Sequence, residues 1–559
     1  MSDLIVIPSA RLVAPELQAD FGTIPPALIP LDGRMAMQYI LDAARQSSRA
    51  IVAGHERFDL LLAAAAHVGG ISVVDVGPTS SLGQTVLHAV AAEDLGAASR
   101  LVVNFADTLV PGLPVTGDAI AYRLEADAYR WTAFHTDAEG GIARVVEKDT
   151  DKGGDPLPVF VGAFAFADPA AFRDELAAAV AAAVDGVEPL YVAVRRYVAA
   201  RGAAALYAAE VWHDFGHVDT YYRTRQRLFI DRRVFNDIEV DARSGVLRKR
   251  STDAAKLRRE VAWYQRLPPP VAMLAPRVLD QGGTADEAFV DLEYYGYPPL
   301  ADAYLHGDWD VGGWDLALAS VEDASRRLHG ERLLLSDADC TRALRAMYVT
   351  KTEERLASVL SDPAFDPLRG EHLALDGRPG LGLDGALAIL PELGDALGLC
   401  APRAMGIIHG DLCLSNILYD RRNGIVRLVD PRGAFGELDL HGDPLYDHAK
   451  LAHSIEGDYD HLLRGLFTLD LTPGAAHLDV RLTATQRAVK ALHRRRADRL
   501  LGADAPRVAL IQALLFLTMA PLHPDRPLSQ LAFVVRGLGI VSALARRAAD
   551  ARAPQSVAA

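Results

Sequence analysis

The sequence predicts an α/β protein in two parts, and three observations predict it. Over residues 1–227, short apolar runs alternate with helical patterns at the spacing of a parallel sheet covered by helices on both faces. Over residues 228–300, β-type runs around an amphipathic helix read as a small antiparallel sheet, and residues 301–559 read as mostly helical. Within that last part, segment 406–433 carries His409, Asp411, Asn416 and Asp430 in an order and spacing that loop chemistry rarely produces.

In the first part, strands are expected at residues 4–7, 50–53, 71–76 and 101–105, and helices at 35–44, 58–67 and 85–92. Ligands of such sheets sit outside the carboxyl ends of the strands. Asp107 lies just past one of those ends, where a metal-binding carboxylate would stand. Further on come Trp212-His213-Asp214-Phe215-Gly216 and Tyr221. Together these residues resemble the sugar-1-phosphate nucleotidyltransferases, with a Rossmann-like, GT-A-like fold. The resemblance implies that Asp107 and Asp214 hold one magnesium ion against nucleotide phosphates. It implies that Glu147 and Lys148, after a strand at 143–146, lie near a sugar phosphate, and that Gly162 belongs to the strand that follows. Segment 25–31 resembles the family's Pro-Lys-Ala-Leu-Leu-Pro-Val, but Pro26 stands where its catalytic lysine is expected. The family's glycine-rich loop is also replaced, by Pro8-Ser9-Ala10-Arg11. Arg11 and Gly83-Gln84-Thr85 are the candidates for a substitute phosphate cradle.

In the second part, residues 233–240 and 246–250 read as strands joined by a turn at Ser244-Gly245. Lys249 is the candidate for a lysine on nucleotide phosphates, with Arg248 and Lys256 as alternatives if the register differs. Glu260 follows in a helix over 254–265, whose face carries Leu257, Val261 and Tyr264. A Lys-Glu pair between strand and helix is the arrangement that positions phosphates for transfer. Pro268-Pro269-Pro270 marks a turn. Residues 362–402 show no clear sheet pattern and are expected to be loops with a helix at 386–398.

The segment 406–433 asks for magnesium-dependent phosphoryl transfer: a carboxylate to accept a hydroxyl proton, then an amide and a second carboxylate to hold metal. Asp411 to Asn416 fits a tight loop leading into a strand at 417–419. The turn at Arg422-Asn423-Gly424 makes a hairpin whose returning strand brings Asp430 beside Asn416. His-Gly-Asp-x-x-x-x-Asn-Ile-Leu followed by an apolar strand ending in Asp resembles the aminoglycoside phosphotransferase and choline kinase family. Asp430-Pro431-Arg432-Gly433 stands where protein kinases have Asp-Phe-Gly, which favours a small-molecule kinase. The resemblance implies a two-lobed protein-kinase-like fold, with lobes at 228–300 and 301–559. It implies catalytic roles for Asp411, His409, Lys249 and Glu260, and magnesium on Asn416 and Asp430. Residues 289–294, running into Tyr295, resemble the hinge strand that meets an adenine ring, which places Glu293, Tyr294 and Tyr295 at ATP. Arg432, next to the metal ligand, is a candidate for an anionic substrate group or a brace. Asp443 and Asp447 are expected to cap and steady the following helix. C-terminal helices are expected at 482–495, 508–519 and 528–545, and His523 between the last two reads as structural.

At 559 residues the chain exceeds a single core. Its net charge of -15 argues against a nucleic-acid surface. The three cysteines have no paired metal-ligand spacing and suggest no disulfide framework. The N-terminus has no signal-peptide pattern, and the Ala-rich run at 176–184 is too short to span a bilayer. A cytoplasmic protein without a membrane span is expected, with small-molecule and nucleotide partners; a homo-oligomer is compatible with the sequence.

The two resemblances together imply consecutive chemistry. ATP and Mg2+ would phosphorylate an alcohol in the second part. The first part would then use CTP, GTP, UTP or dTTP to make an activated donor, as in bacterial surface-polysaccharide synthesis. Two alternatives stand. One is a choline- or ethanolamine-type kinase with a cytidylyltransferase partner, its cation walled by Glu293, Tyr294, Tyr295 and Tyr297. The other is a kinase whose first part only binds a nucleotide and regulates.

Overall fold

In the computed structural model, residues 2–552 are described apart from 45–47, 92, 127, 148–155, 183–186, 203–204, 229–235 and 242. The chain divides into two units, Met1–Leu228 with His306–Asp308, and Phe229–Leu305 with Trp309–Ala559.

The first unit is built on the strand Ser2–Ser9, whose alternate side chains supply two separate cores. Leu4 and Val6 join the cluster around Phe164 and Tyr191, while Ile5 and Ile7 join the one around Phe21 and Phe215. Burial on both faces is why the run is apolar throughout rather than alternating with polar residues. The sheet is mixed and nine-stranded. From one edge its path runs Ile142–Glu147, Thr132–Thr136, Leu157–Phe166, Ala98–Asn104, Ser2–Ser9, Arg49–Gly54 and Ile71–Asp75. Ser2–Ser9 pairs in parallel with both Arg49–Gly54 and Ala98–Asn104. The chain therefore reverses its direction of growth at Ser2–Ser9, and the crevice beyond Ser9 and Asn104 is the expected place for a ligand.

Packing ties the second half of this unit to that crevice. Tyr221, fully buried, donates its hydroxyl to the Pro30 carbonyl at 2.7 Å, which fixes the proline-rich segment 25–31. Ser9 Oγ accepts the Ala27 N–H at 3.0 Å from the other side.

The second unit begins with a four-stranded antiparallel sheet in the order Asn236–Asp241, Val246–Ser251, Ala288–Glu293, Val278–Gly283. The part of the first expected strand at 233–235 lies outside the described residues. The helix Ala254–Arg266 starts at Asp253, whose side chain accepts the Lys256 N–H, and it buries Leu257, Glu260, Val261 and Tyr264 along one stripe. Helices dominate the remainder, with the hairpin Ile417–Asp420 and Ile425–Leu428 as expected.

Segment 362–402 differs from its sequence reading. His372–Leu375 and Arg378–Leu381 form a hairpin that joins Thr468–Thr472 and Ala475–Asp479 in a four-stranded sheet. The Arg378-Pro379-Gly380 strand hides the usual signal, because its hairpin pairs with a strand just over a hundred residues away. The helix there spans Leu383–Ala396, earlier than expected.

Two stretches, Ala484–Leu517 and Pro527–Asp550, are long and apolar enough to cross a membrane by length and composition. Their apolar character has another use here: Leu510, Phe516 and Leu517 from one, and Phe533, Leu538 and Val541 from the other, are fully buried in a shared core.

Replacing Tyr221 by Phe strands the buried Pro30 carbonyl without its donor. It should destabilise the first unit by about 1–3 kcal/mol, read as a lower urea midpoint at unchanged slope.

Candidate functional site

In the second unit, Lys249 sits on the central strand Val246–Ser251, opposite Ile238 and Val290, with its side chain buried. Its ammonium lies 3.0 and 2.8 Å from the two Glu260 oxygens and 2.7 Å from Asp430 Oδ1. Burial by itself would discharge it, but the carboxylates of Asp430 and Glu260 outweigh burial and hold its pKa above the usual lysine value. Glu260 is pushed up to about 7, chiefly by burial. The register selects Lys249: neighbouring Arg248 pairs instead with Asp291, at 2.6 Å on both oxygens.

Asp430 is held in the left-handed backbone region, φ 56°, rare outside glycine. Its N–H donates to the Tyr264 hydroxyl at 3.0 Å, so the helix that carries Glu260 also clamps Asp430. Across the hairpin, Val429 N–H donates to the Asn416 carbonyl at 3.0 Å. Asn416 Nδ2 donates to the Asp411 carbonyl at 2.9 Å and to Asp411 Oδ2 at 3.2 Å. The amide oxygen of Asn416 accepts no hydrogen bond among the described residues, and with the Asp430 carboxylate it makes a pair of hard oxygen donors suited to Mg2+. Among the described residues no three His, Cys, Asp or Glu side chains gather at one metal position. A two-ligand protein site completed by phosphates and water is the pattern Mg2+ uses with nucleotides.

The loop around Asp411 hangs on one buried carboxylate. Asp447 accepts the His409 and Gly410 N–H groups at 2.8 and 2.7 Å and contacts His329 Nε2 at 3.1 Å. Its pKa is lowered, because these partners, with His329 first, outweigh burial. His409 is itself fully buried: its Nε2 lies 3.0 Å from the Val429 carbonyl, and its ring packs edge-on against Trp263. Burial lowers its pKa and keeps it neutral. In this structure His409, expected to be catalytic, is fully buried and braces the loop rather than facing solvent.

Lys450 was not legible beforehand. It reaches Asp411 Oδ1 at 2.9 Å from the helix Pro444–Ile455. Burial would raise the Asp411 pKa, but Lys450 outweighs it and keeps the carboxylate ionised. Arg432 donates to the Tyr446 hydroxyl at 3.1 Å. Asp443 caps the same helix, accepting the Leu445 N–H at 3.1 Å, and also binds Tyr348 and Arg403.

At the expected hinge, the Glu293 carboxylate is paired with Arg277 at 3.0 and 3.1 Å and receives the Tyr295 hydroxyl at 2.9 Å. Tyr294 N–H donates to Gly245 O at 2.9 Å. The Glu293 side chain is thus spent on structure, and the Tyr295 ring lies under Arg427.

In the first unit, Asp107 and Asp214 come together as expected. His213–Asp214 pairs antiparallel with Thr108–Leu109, and Phe215 N–H donates to the Asp107 carbonyl at 3.0 Å. Gly216 makes the approach possible: a Cβ there would lie 2.4 Å from Asp107 Oδ2. Burial, and then the neighbouring Asp214 charge, push Asp107 up to about 6. Two facing carboxylates at that cost are a donor set a divalent cation would relieve.

The expected phosphate cradle is occupied differently. Arg11 does reach the loop before the helix Leu82–Val90, donating to the Ser80 carbonyl at 3.0 Å. Yet the N–H groups of Leu82 and Gly83 donate to the Glu188 carboxylate at 3.0 and 2.7 Å. Gly83 is needed for close packing, since a Cβ would lie 2.9 Å from the Leu190 nitrogen. Its amide is therefore taken by a carboxylate, which corrects its assignment to nucleotide phosphates. Glu147 accepts the Glu188 N–H at 2.6 Å, a brace for that same corner. Lys148 lies outside the described residues.

No protein-family model and no curated protein matches this chain. Among solved structures, HddC from Yersinia pseudotuberculosis is similar at 14% identity and a TM-score of 0.28, over 41% of this chain and 100% of that one. A thermostable mutant of aminoglycoside phosphotransferase APH(4)-Ia is similar at 14% identity and a TM-score of 0.37, over 57% and 94%. Mannose-1-phosphate geranyltransferase from Thermus thermophilus is similar at 17% identity and a TM-score of 0.27, over 42% and 80%.

Asp447→Ala leaves two buried N–H groups and His329 without their acceptor, and should cost about 3 kcal/mol or more, with faster amide exchange at His409 and Gly410. For Asp107 the sign is opposite. A carboxylate with a raised pKa destabilises the fold above that pKa, so Asp107→Asn in metal-free buffer should raise Tm by a few degrees at pH 8. The gain should shrink as the pH falls through about 6 and vanish near about pH 4.

Proposed function

We propose that the second unit is a small-molecule kinase, which transfers the γ-phosphoryl group of ATP to an alcohol. One observation carries this reading: Lys249, Glu260 and Asp430 converge on one buried ion cluster while Asn416 ties the adjoining Asp430 strand to Asp411. Asp411, ionised and steadied by Lys450, accepts the proton of the attacking hydroxyl. Lys249, oriented by Glu260, meets the nucleotide phosphates. Asn416 and Asp430 would hold Mg2+, which supplies charge neutralisation along the phosphates when bound. His409 and Asp447 keep the loop rigid so that these groups need no rearrangement in the transition state.

For the first unit, the Asp107–Asp214 pair supports a magnesium-dependent nucleotidyltransferase that would consume the phosphorylated product with CTP, GTP, UTP or dTTP. The product would be an activated donor of the kind used for surface polysaccharide. A second reading is favoured by a specific observation. With the Leu82 and Gly83 amides bound to Glu188, and Pro26 in place of a lysine, this unit binds a nucleotide or its sugar conjugate and regulates without turnover. Both readings call for small-molecule substrates and nucleotides as partners, and the dependence on ATP fits a cytoplasmic setting.

The deciding assay is acceptor-dependent ADP release with ATP and Mg2+. Asp411→Asn should lower the rate about 10²–10⁴-fold while ATP still binds. No turnover from folded, ATP-binding wild type with any sugar, polyol or amino alcohol would sink the kinase reading. Pyrophosphate release from product plus a nucleoside triphosphate, lost in Asp107→Ala, would select the transferase over the regulatory reading.

A further inference from the structure

Beside the Lys450–Asp411 ion pair, the second unit gathers further cations that pair with no carboxylate among the described residues. Among the described residues, the side chains of Lys351 and Arg355 make no hydrogen bond or ion pair. Among the described residues the one side-chain hydrogen bond of Arg432 goes to the Tyr446 hydroxyl, at 3.1 Å. These cations come from separate elements. Lys351 and Arg355 are one turn apart on the helix Lys351–Ser361, so they share a face. Arg432 follows Asp430 by two residues, and Lys450, which pairs with Asp411, lies one turn beyond Tyr446 on Pro444–Ile455. Tyr446 joins two of them: Lys351 Nζ sits 6.0 Å from its ring centroid while Arg432 holds its hydroxyl.

The backbone is arranged to keep them there. Lys351 directly follows a π-helical turn, Ala346–Thr350, a distortion frequent at functional sites. Tyr348 in that turn donates to Asp443 at 2.8 Å, locking it to the start of the Tyr446 helix. Unbalanced cations repel one another, and a half-buried cluster without a counter-ion has a cost that folding alone does not explain. Lys351 registers it: burial, then Arg432, Arg355 and Lys450, push its pKa down to about 6, against a smaller opposite pull from Asp411. Arg355 is lowered by burial and by Arg432.

We propose that the phosphate acceptor is itself an anion, carrying a phosphomonoester or carboxylate that Lys351, Arg355 and Arg432 bind while its hydroxyl faces Asp411. This rests on the kinase reading above and deepens it. Both groups offer the same chemistry, an oxyanion that accepts several charge-assisted hydrogen bonds. In the reaction the acceptor oxygen bonds to the γ-phosphorus of ATP, the bond from that phosphorus to ADP breaks, and the hydroxyl proton passes to Asp411. A cationic acceptor such as choline or ethanolamine would meet like charges here, so the choline-type alternative loses its support.

The test compares matched acceptors with full-length protein, ATP and Mg2+: neutral sugars, the same sugars as phosphomonoesters, the corresponding sugar acids, and amino alcohols. ADP release confined to phosphomonoesters or to sugar acids supports the proposal and names the oxyanion. With that acceptor, Lys351→Met and Arg355→Gln should each raise its KM at least tenfold while the KM for ATP changes less than twofold. Lys351→Arg should restore most of the affinity, which a merely structural lysine would not predict. Turnover of neutral or cationic acceptors with anionic ones idle overturns this proposal and leaves the kinase standing. An acceptor KM unmoved in both loss variants, shown to be folded by circular dichroism, also overturns it. Absence of any acceptor-dependent turnover removes the kinase reading and this inference with it.

Discussion

One buried ammonium, that of Lys249, ties together three separate pieces of chain. It belongs to a strand, its first partner Glu260 to a helix, and its second partner Asp430 to the end of a hairpin. Removing such a charge from water is expensive unless it is fully paired, so this cluster is satisfied only when all three elements are in place. The helix secures the arrangement twice more. Tyr264 accepts the Asp430 N–H, and Trp263 donates to the Ile408 carbonyl at 2.8 Å, just before the loop of Asp411. Lys249 and the loop of Asp411 are thereby anchored to one helix, Ala254–Arg266.

The same logic recurs around Asp411. Binding and catalytic groups often stand on loops, yet a loop is also where position is least constrained. Asp447 resolves that conflict by accepting two successive loop amides from below, while the neutral His409 ring fills the space behind them. Lys450, one turn along the same helix as Asp447, then sets the charge state of Asp411. A single helix, Pro444–Ile455, thus supplies the loop's support, the ion-pair partner of Asp411 and the Tyr446 ring that meets Lys351 and Arg432.

The first unit shows a related economy with a different outcome. Its two carboxylates are brought face to face by a short strand pair and a glycine that leaves room for them, while the helix terminus nearby has been filled by the protein's own Glu188. An internal carboxylate on those amides competes directly with a phosphate for the same donors. The metal-type pair and the closed anion site pull the functional reading of this unit in opposite directions, which is why pyrophosphate release is the measurement that separates them.

What the sequence determined by itself was whatever is written in local spacing. The run from His409 to Asp430, the hairpin turn at 422–424, the alternating strands and helices of the first unit, and Lys249 with Glu260 all lie within short elements whose period fixes their side-chain direction. Asp107 was legible for the same reason, just past a strand end, and Asp214 through the Trp212-His213-Asp214-Phe215-Gly216 stretch. Only the tertiary structure decided which long-range neighbours those residues have. It turned His409 inward, gave the Gly83 amide to Glu188, brought Lys450 to Asp411, and paired the hairpin at His372–Leu375 with Ala475–Asp479. It also placed Lys351, an unremarkable charge on a helix in the sequence, over the ring of Tyr446, whose hydroxyl Arg432 holds. Periodicity says which face of an element a side chain occupies; what that face meets is set by packing across a hundred residues of chain, and spacing alone does not encode it.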